Sequence, residues 1–177
     1  MTAHLRIVPE PQLLDDIVEA MMTNDTSFFR DVEPFNIFRD KVLPYLLKNR
    51  IHERKFRIWS VASASGQEPY SLALMLKDHE TQFARWKIDM LGTDLSVHAI
   101  EAAKNGMYSQ FEVQRGLPIQ KLLKHFTQTD EGWQISDKIK KMVQFKQFNL
   151  LDDMENFGLF DVVFCRNVLL NFDKQTK

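Results

Sequence analysis

Apolar residues recur at helical spacing along the first fifty positions of the chain. One predicted helix covers residues 11–22, whose apolar positions fall on a single face. A second is predicted over residues 33–50, where Pro34 suits the first turn and Pro44 is expected to kink or split the helix. Residues 23–31 lie between the two helices and are polar and turn-like, so the N-terminal part is predicted to be helical.

The pattern then changes to strands that alternate with helices. Apolar runs at residues 57–62 and 88–93 are typical of buried strands, and helical patterns follow them at 69–79 and about 95–105. Proline begins the first of these helices, and Gly106 ends the second. Strand–helix–strand–helix order is characteristic of a parallel sheet, so the predicted fold class is α/β.

Residues 107–142 interrupt this alternation. They contain a short amphipathic helix at 119–126, a polar turn at 129–132 and a basic stretch, KIKK. We interpret them as an inserted small β subdomain or a long crossover. Strands resume at 143–150 and at 161–165, DVVFC, whose β-branched and aromatic content predicts a central buried strand.

The predicted domains are an N-terminal helical segment with its linker, residues 1–50, and an α/β domain over residues 51–177. Only one predicted strand would lie beyond the first strand of the sheet. A bare edge on a buried type of strand promotes aggregation. We therefore expect further chain, or another molecule, to cover that edge.

Composition narrows the class of protein. The chain has 177 residues, 44% of them apolar and 27% charged, which are globular values, and its fourteen phenylalanines predict an aromatic core. A net charge of -1 argues against nucleic acid or a membrane surface as partner. No apolar run approaches the ~20 residues that span a bilayer, and no signal peptide begins the chain. The single cysteine, Cys165, excludes a disulfide framework, so a cytoplasmic protein is expected. A monomer is the expected oligomeric state.

Small and polar residues form the loop after the first predicted strand, Ser63-Ala64-Ser65-Gly66-Gln67-Glu68. A strand, a tight loop and a helix N-terminus let a nucleotide-like ligand approach the backbone. Gly66 is the only glycine in the loop, so the dinucleotide fingerprint is absent and a nicotinamide-dependent dehydrogenase is disfavoured. By itself, the loop is equally compatible with an ordinary turn between strand and helix.

Asp94 ends the second predicted strand. An acid at this position can accept hydrogen bonds from both ribose hydroxyls of a nucleoside, although a helix N-cap is the simpler explanation when it is taken alone. The carboxyl ends of neighbouring parallel strands meet at one edge of a sheet, where ligands of open α/β sheets bind. The loop and Asp94 together therefore favour a nucleoside site.

Two further polar groups are candidates for binding. Arg30, in the segment TNDTSFFR, can grip a carboxylate with two parallel hydrogen bonds, but a capped loop explains the same segment. Arg166 and Asn167 follow the DVVFC strand at the ligand edge, and Cys165 before them is expected to be a small core residue. No arrangement for nucleophilic catalysis is visible, and the five scattered histidines lack metal-ligand spacing.

Five segments of the chain occur in the same order in chemotaxis receptor methyltransferases of the CheR type. The segments are TNDTSFFRD, RIWSVASASGQEPYSLAL, GTDLS, FNLLD and FDVVFCRNVLLNFD. The chain resembles that family over most of residues 13–177. The resemblance implies a Rossmann-like class I methyltransferase sheet over residues 51–177 that lacks its last strands, a remnant N-terminal helical segment, and a small β subdomain inserted at about 107–142.

The resemblance also implies an activity. Such enzymes transfer a methyl group from S-adenosylmethionine to glutamate side chains in the cytoplasmic helical region of chemotaxis receptors, and S-adenosylhomocysteine is the product. By motif, Arg30 lies near the methionine carboxylate, Glu68 closes the cofactor loop and Asp94 holds the ribose. The remaining implied contacts are Asn24 and Thr26 beside Arg30, Asn149 and Leu150 at the adenine, and Arg166 and Asn167 at the cofactor and the incoming carboxylate.

The chain departs from the family pattern in several places. Asn171 stands at the active-site rim, where the family usually has tyrosine, so an aromatic wall is expected to be lost there. The N-terminal helical domain is shortened, and the strands after the CRN motif are missing. The turn at residues 127–132 is also shorter than in members that bind a receptor tether peptide, so no dependence on a tether is expected.

The implied chemistry needs no general base. A glutamate carboxylate, with an ordinary pKa of about 4.3, is already ionised at neutral pH. Catalysis would come from holding it in line with the methyl group, and we expect Arg166 to orient it. Two alternatives stay open, since the cofactor motifs do not touch the substrate: a non-catalytic module that binds the cofactor or a signalling partner, and a methyltransferase with another substrate.

Overall fold

The computed structural model describes residues 25–173, together with Leu13 and Glu19. The helix predicted over residues 11–22 and the candidate residue Asn24 lie outside the described residues, as does the side chain of Asn171. Among the helices that are described, none has the length and apolar character needed to cross a membrane.

A helical run begins the described chain. It consists of α1 (Glu33–Ile37), a π-helical stretch (Phe38–Val42) and α2 (Leu43–Asn49). Pro34 lies in the first turn of α1 and Pro44 in the first turn of α2. Proline has no N–H to donate, and the turn before Pro44 is widened into the π-helical stretch. The run stays helical through Val42 and Leu43, so Pro44 perturbs the predicted helix without splitting it.

Strands and helices alternate through the rest of the chain. In order, they are β1 (Lys55–Val61), α3 (Gln67–Asp78), β2 (Lys87–Asp94), α4 (Val97–Asn105), β3 (Met107–Tyr108), α5 (Gln110–Gln114), α6 (Ile119–His125), β4 (Phe126–Gln128), β5 (Trp133–Ile135), α7 (Asp137–Lys140), β6 (Val143–Gln147) and β7 (Val162–Cys165). Two 3₁₀ turns, Glu155–Phe157 and Leu169–Asn171, flank β7.

Four strands form one parallel sheet in the order β6-β2-β1-β7. The chain moves outward from β1 through β2 to β6 and then crosses to the other side of β1 to add β7. The predicted Rossmann-like α/β fold is confirmed. Since all four strands point the same way, their carboxyl ends share one edge, and the change of direction beside β1 opens a crevice there.

A second, antiparallel sheet lies within residues 107–142 and has the order β3-β5-β4. Its connection to α6 passes close to the segment before α1. Gly116 has a left-handed φ of 89°, and a Cβ atom there would lie 2.1 Å from the carbonyl oxygen of Phe28. Only glycine permits this approach, which fixes the position of residues 25–31 against the small sheet.

The aromatic core predicted from composition is present. The ring of Phe28 packs edge-on against Tyr108 and Phe126, at 5.0 and 5.7 Å between centroids, so it joins the segment before α1 to the small sheet. Phe35 and Phe38 both contact Phe164 of β7. These buried rings hold the N-terminal helices on the parallel sheet, where burial of each phenylalanine stabilises the fold by ~2 kcal/mol.

Two expectations about the DVVFC strand are corrected. Within the described chain β7 is the outer strand of its sheet, not a central one, and Val163 is 51% exposed. Cys165 is partly exposed and does not lie in the core. The β-branched run indicates a strand that can be buried on both faces. Whether it is buried depends on which segments pack against it in the folded protein.

A buried histidine makes stability depend on pH. His125 is 6% exposed, and within the described part of the chain its Nε2 atom has no hydrogen-bond partner. Burial, then the nearby Lys124, lowers the pKa of the imidazole. The unfolded chain binds the proton near pH ~6.5, but the folded chain binds it only at lower pH. The contribution of neutral His125 to the free energy of unfolding is therefore fully present above the unfolded pKa and is lost as the pH falls below it.

We expect the free energy of urea unfolding to fall between pH 7 and pH 5, and this component of the fall to disappear in His125→Leu. The matched control is His52→Gln, which alters an exposed histidine and should keep the wild-type profile. An unchanged pH profile in His125→Leu would contradict the assignment.

Candidate active site

The loop after β1 turns tightly at the carboxyl edge of the sheet. Gly66 has a φ of 91°, and Ala62 and Ala64 also adopt left-handed φ values of 52° and 45°. A Cβ atom on Gly66 would lie 3.0 Å from the Cβ atom of Ala103, so the loop packs closely against α4. The hydroxyl of Ser63 is buried and has no hydrogen-bond partner among the residues that the structure describes. The tight loop thus places the Ser63 hydroxyl near the carboxyl end of β1.

Asp94 joins the end of β2 to this loop. The side chain is buried; Oδ2 accepts a hydrogen bond from the Ala64 N–H at 2.7 Å, and Oδ1 accepts one from the Ser96 N–H at 3.0 Å. Burial raises the pKa of Asp94, and these N–H groups oppose that rise. Each carboxylate oxygen retains a lone pair for a further donor.

Ser96, not Asp94, caps the next helix. Its Oγ accepts from the Ala99 N–H at 2.9 Å in α4 and donates to the carboxylate of Glu19. The N-cap interpretation of Asp94 is therefore wrong. Asp94 instead holds the loop after β1, and Glu19 brings a second carboxylate to the same end of the sheet.

Glu68 and Arg166 form an ion pair between the start of α3 and the end of β7. Arg166 Nη1 donates to Glu68 Oε2 at 3.0 Å, and the Ser60 hydroxyl donates to Glu68 Oε1 at 2.8 Å. The side chains are only 14% and 17% exposed for Glu68 and Arg166. Burial raises the pKa of Glu68, and the bonds from Ser60 and Arg166 lower it in part.

The guanidinium of Arg166 also binds the segment before α1. Nη2 donates to the carbonyl oxygen of Arg30 at 3.0 Å and to Asp31 Oδ2 at 2.6 Å. Arg166 thus lies at the ligand edge, as the sequence indicated, but it already has three oxygen acceptors. It joins β7, α3 and the N-terminal segment at a single point.

Arg30 is held by its own segment. Nη1 donates to the Asp25 carbonyl at 2.5 Å, and Nη2 lies 3.6 Å from the Asp25 carboxylate. Arg115, at the end of α5, binds the same carboxylate at 2.7 Å and is the main cause of its lowered pKa. A ligand carboxylate would therefore compete with the Asp25 carboxylate for the Arg30 guanidinium. Thr26, which follows Asp25 in the sequence, is half-buried.

The remaining candidates lie at the ends of β6 and β7. Asn149 and Leu150 are half-buried in the turn after β6, where Asn149 Oδ1 accepts from the Leu151 N–H at 3.0 Å. Asn167 is exposed, with a left-handed φ of 60°. It lies on a cleft of about 420 Å³ whose other lining residues are Asp31, Cys165, Arg166, Leu169 and Leu170.

Sequence reasoning did not identify several of the contacting groups. Asp31 and Ser60 bind the Arg166–Glu68 pair, and Asp25 and Arg115 fix Arg30. Asp31 adjoins a predicted site residue, which is a weak signal. Arg115 gives no sequence signal, because it reaches Asp25 from 90 residues away.

The assembled groups suit a nucleoside that carries a carboxylate better than they suit a phosphate or a metal. Among the residues that the structure describes, no cluster of His, Cys, Asp or Glu is placed to hold a metal ion. A buried acid at the end of β2 can accept ribose hydroxyls, and the guanidinium of Arg166 contacts the backbone of Arg30, so two arginines that could bind carboxylates belong to adjoining segments.

Comparisons with known proteins agree with this chemistry. The family model described as CheR methyltransferase, SAM binding domain, matches residues 24–177. Chemotaxis protein methyltransferase Cher2 of Pseudomonas putida is 36% identical over all of this chain and 66% of its own length. Chemotaxis protein methyltransferase 1 of Pseudomonas aeruginosa is 41% identical over 93% of this chain and 61% of its own length. The chain thus spans about three fifths of these relatives.

Solved structures that match part of the chain include the methyltransferase domain of bacterial CtHen1-C, with a TM-score of 0.39 and 17% identity over 78% of this chain and 55% of that one. The DszA carbon methyltransferase has a TM-score of 0.43 and 18% identity over 86% of this chain and 31% of that one. The family match covers most of the chain, including every strand of the parallel sheet. The chain therefore belongs to the CheR methyltransferase family, in which it matches the S-adenosylmethionine-binding domain.

Proposed function

We propose that this chain binds S-adenosylmethionine across the carboxyl ends of β1, β2, β6 and β7 and transfers its methyl group to glutamate side chains of chemotaxis receptors. The hydrogen bond from the Ala64 N–H to Asp94 carries the proposal, because it unites the loop after β1 and the acid after β2 into one nucleoside-sized site. Family membership supplies the acceptor class.

The residues present fit this cofactor. Within the described chain the buried Ser63 hydroxyl lacks a hydrogen-bond partner, and a bound ligand would give it one. The packing of Gly66 against Ala103, Phe145 and Tyr70 holds the loop in its tight turn. In the proposed assignment Asp94 holds the ribose, and Asn149 and Leu150 flank the adenine. The methionine end faces Arg30, with Asn24 and Thr26 beside it, and Glu68 closes the loop.

The cofactor supplies an electrophilic methyl group, and the protein's task is to place a carboxylate in line with it. Arg166 and Asn167 lie where the acceptor would arrive, and Asn171 belongs to the same rim. Arg166 is already paired with the largely buried carboxylate of Glu68. An incoming carboxylate would therefore meet a partly neutralised cation, which orients it without strongly reducing its nucleophilicity.

The proposal extends to the surroundings of the enzyme. Its protein partner would be the cytoplasmic helical region of receptors, without nucleic acid and without insertion into the membrane. The chain would act as a cytoplasmic monomer. Residues 1–50 would form the helical segment and linker, and residues 51–177 the methyltransferase domain, with its β subdomain at about 107–142.

Calorimetric titration of the chain with S-adenosylhomocysteine tests cofactor binding. We expect saturable binding that weakens at least about tenfold in Arg30→Ala, since a charge-assisted contact to the ligand carboxylate is lost. Arg39→Ala is the matched control, because Arg39 is exposed, pairs with Asp40 and should leave the affinity unchanged.

Transfer is tested separately with labelled S-adenosylmethionine and receptor-containing membranes, in which base-labile methyl esters should form. Binding of S-adenosylhomocysteine without ester formation would favour a non-catalytic binding module instead. Absence of binding by the folded chain would contradict the proposed function altogether.

A further inference from the structure

The three oxygen acceptors of Arg166 differ in their surroundings. Glu68 is 14% exposed and also bound by Ser60, and the carbonyl of Arg30 belongs to the backbone. The side chain of Asp31, in contrast, is 62% exposed and lies at the open cleft beside Asn167. An exposed ion pair is stabilised far less than one held away from water. The bond to Asp31 is therefore the one that breaks most easily.

We propose that Asp31 is a specificity-determining residue whose carboxylate occupies, in the free protein, the position on Arg166 that the acceptor glutamate takes during methyl transfer. Asp31 then acts as an internal competitor and sets the affinity for the acceptor. This inference rests on the proposed function, since it assigns the acceptor carboxylate to the cleft at Arg166.

The donors of the guanidinium support this competition. Nη2 has two hydrogens, one for the Arg30 carbonyl and one for Asp31 Oδ2 at 2.6 Å, while Nη1 faces Glu68. Asp31 and Arg166 both line the cleft. A carboxylate that enters there reaches Nη2 only by replacing Asp31. Its charge and geometry match those of the group it replaces.

The backbone of Asp31 is fixed, so the exchange needs only a side-chain rotation. Asp31 has a left-handed φ of 62°, and the Val32 N–H donates to the carbonyl of Phe29 at 3.1 Å. The Phe29 N–H in turn donates to the Ser71 hydroxyl on α3 at 2.9 Å. Arg166 would keep its bonds to Glu68 and to the Arg30 carbonyl throughout, so its plane stays oriented for the acceptor.

Steady-state kinetics of Asp31→Asn on receptor-containing membranes test the inference. Without the competing charge, the KM for the receptor should fall about threefold, whereas kcat should change by less than about twofold. Affinity for S-adenosylhomocysteine should stay at the wild-type value. Asp40→Asn removes an equally exposed, arginine-paired carboxylate that does not line the cleft, and it should leave KM and kcat unchanged.

A KM that stays constant or rises in Asp31→Asn would overturn the inference. So would a fall in kcat at constant KM, which would show that Asp31 merely holds Arg166 in place. Asp31→Glu restores the charge and should return KM towards the wild-type value. If the wild-type chain fails to bind S-adenosylhomocysteine or to methylate receptors, the proposed function is wrong, and the inference is overturned with it.

Discussion

Replacement of Asp94 by asparagine is expected to weaken the binding of S-adenosylhomocysteine about 100-fold and to lower the free energy of unfolding by about 2 kcal/mol. The affinity falls because two ribose hydroxyls would lose a charged acceptor. Stability falls because the amide nitrogen cannot accept, so either the Ala64 or the Ser96 N–H loses its partner. Titration calorimetry and urea denaturation of the ligand-free chain measure the two effects.

Asp89→Asn provides the matched control for Asp94. Asp89 lies on the same strand and pairs with Lys55 and Lys87 at 3.6 and 3.9 Å, with its side chain 35% exposed. Its replacement should cost less than ~1 kcal/mol and leave the affinity unchanged. Equal effects of the two substitutions on ligand affinity would show that Asp94 does not contact the ribose.

Replacement of Arg166 by methionine is expected to destabilise the chain by about 3 kcal/mol at pH 7. The substitution removes the cation but keeps an unbranched side chain near Phe35, whose ring lies 5.8 Å from the guanidinium carbon. Glu68 would then be a largely buried carboxylate that keeps, of its hydrogen bonds within the described chain, the one from Ser60. Loss of one partner from a buried ion pair is costly because the remaining charge stays away from water.

The effect should depend on pH in a defined direction. Burial already raises the pKa of Glu68, and removal of Arg166 removes an opposing influence. A carboxyl group whose pKa is raised in the folded state binds the proton more tightly there than in the unfolded chain. The contribution of protonated Glu68 to stability is fully present below its pKa in the unfolded chain, about 4.3. This contribution is lost as the pH rises through the higher pKa of Glu68 in the folded chain.

The stability difference between the wild-type chain and Arg166→Met should therefore shrink as the pH is lowered from 7 towards 5. The double variant Glu68→Gln/Arg166→Met should recover much of the lost stability at pH 7, because it no longer buries an unpaired charge. Arg39→Met, at an exposed pair, serves as the control and should show no measurable change. A difference that is the same at both pH values would exclude Glu68 as its source.

Local patterns were enough to predict the parallel sheet. The runs at β1 and β2 are apolar where the strands are buried, and Gly106 and Pro34 mark helix ends where the sequence placed them. The same patterns placed the loop after β1, Asp94 and Arg166 at one edge, because carboxyl ends of parallel strands converge.

Local patterns could not predict which residues these side chains bind. Arg166 meets Asp31 across 135 positions, and Arg115 meets Asp25 across 90. Neither spacing follows a helical or strand period. These contacts exist because Gly116 and Phe28 pack the segment before α1 against the small sheet.

The sequence by itself therefore determined the class of fold, the family and the edge of the sheet at which the proposed site lies, since each follows from short-range periodicity and contiguous motifs. Only the tertiary structure decided that Asp94 binds the loop and leaves the helix cap to Ser96, that β7 lies outermost in the described chain, and that Arg166 is shared between Glu68 and Asp31. The physical reason is that hydrogen bonds and burial depend on which segments, distant in sequence, pack together. Arg166 is shared because the end of β7 lies against both the start of α3 and the segment before α1.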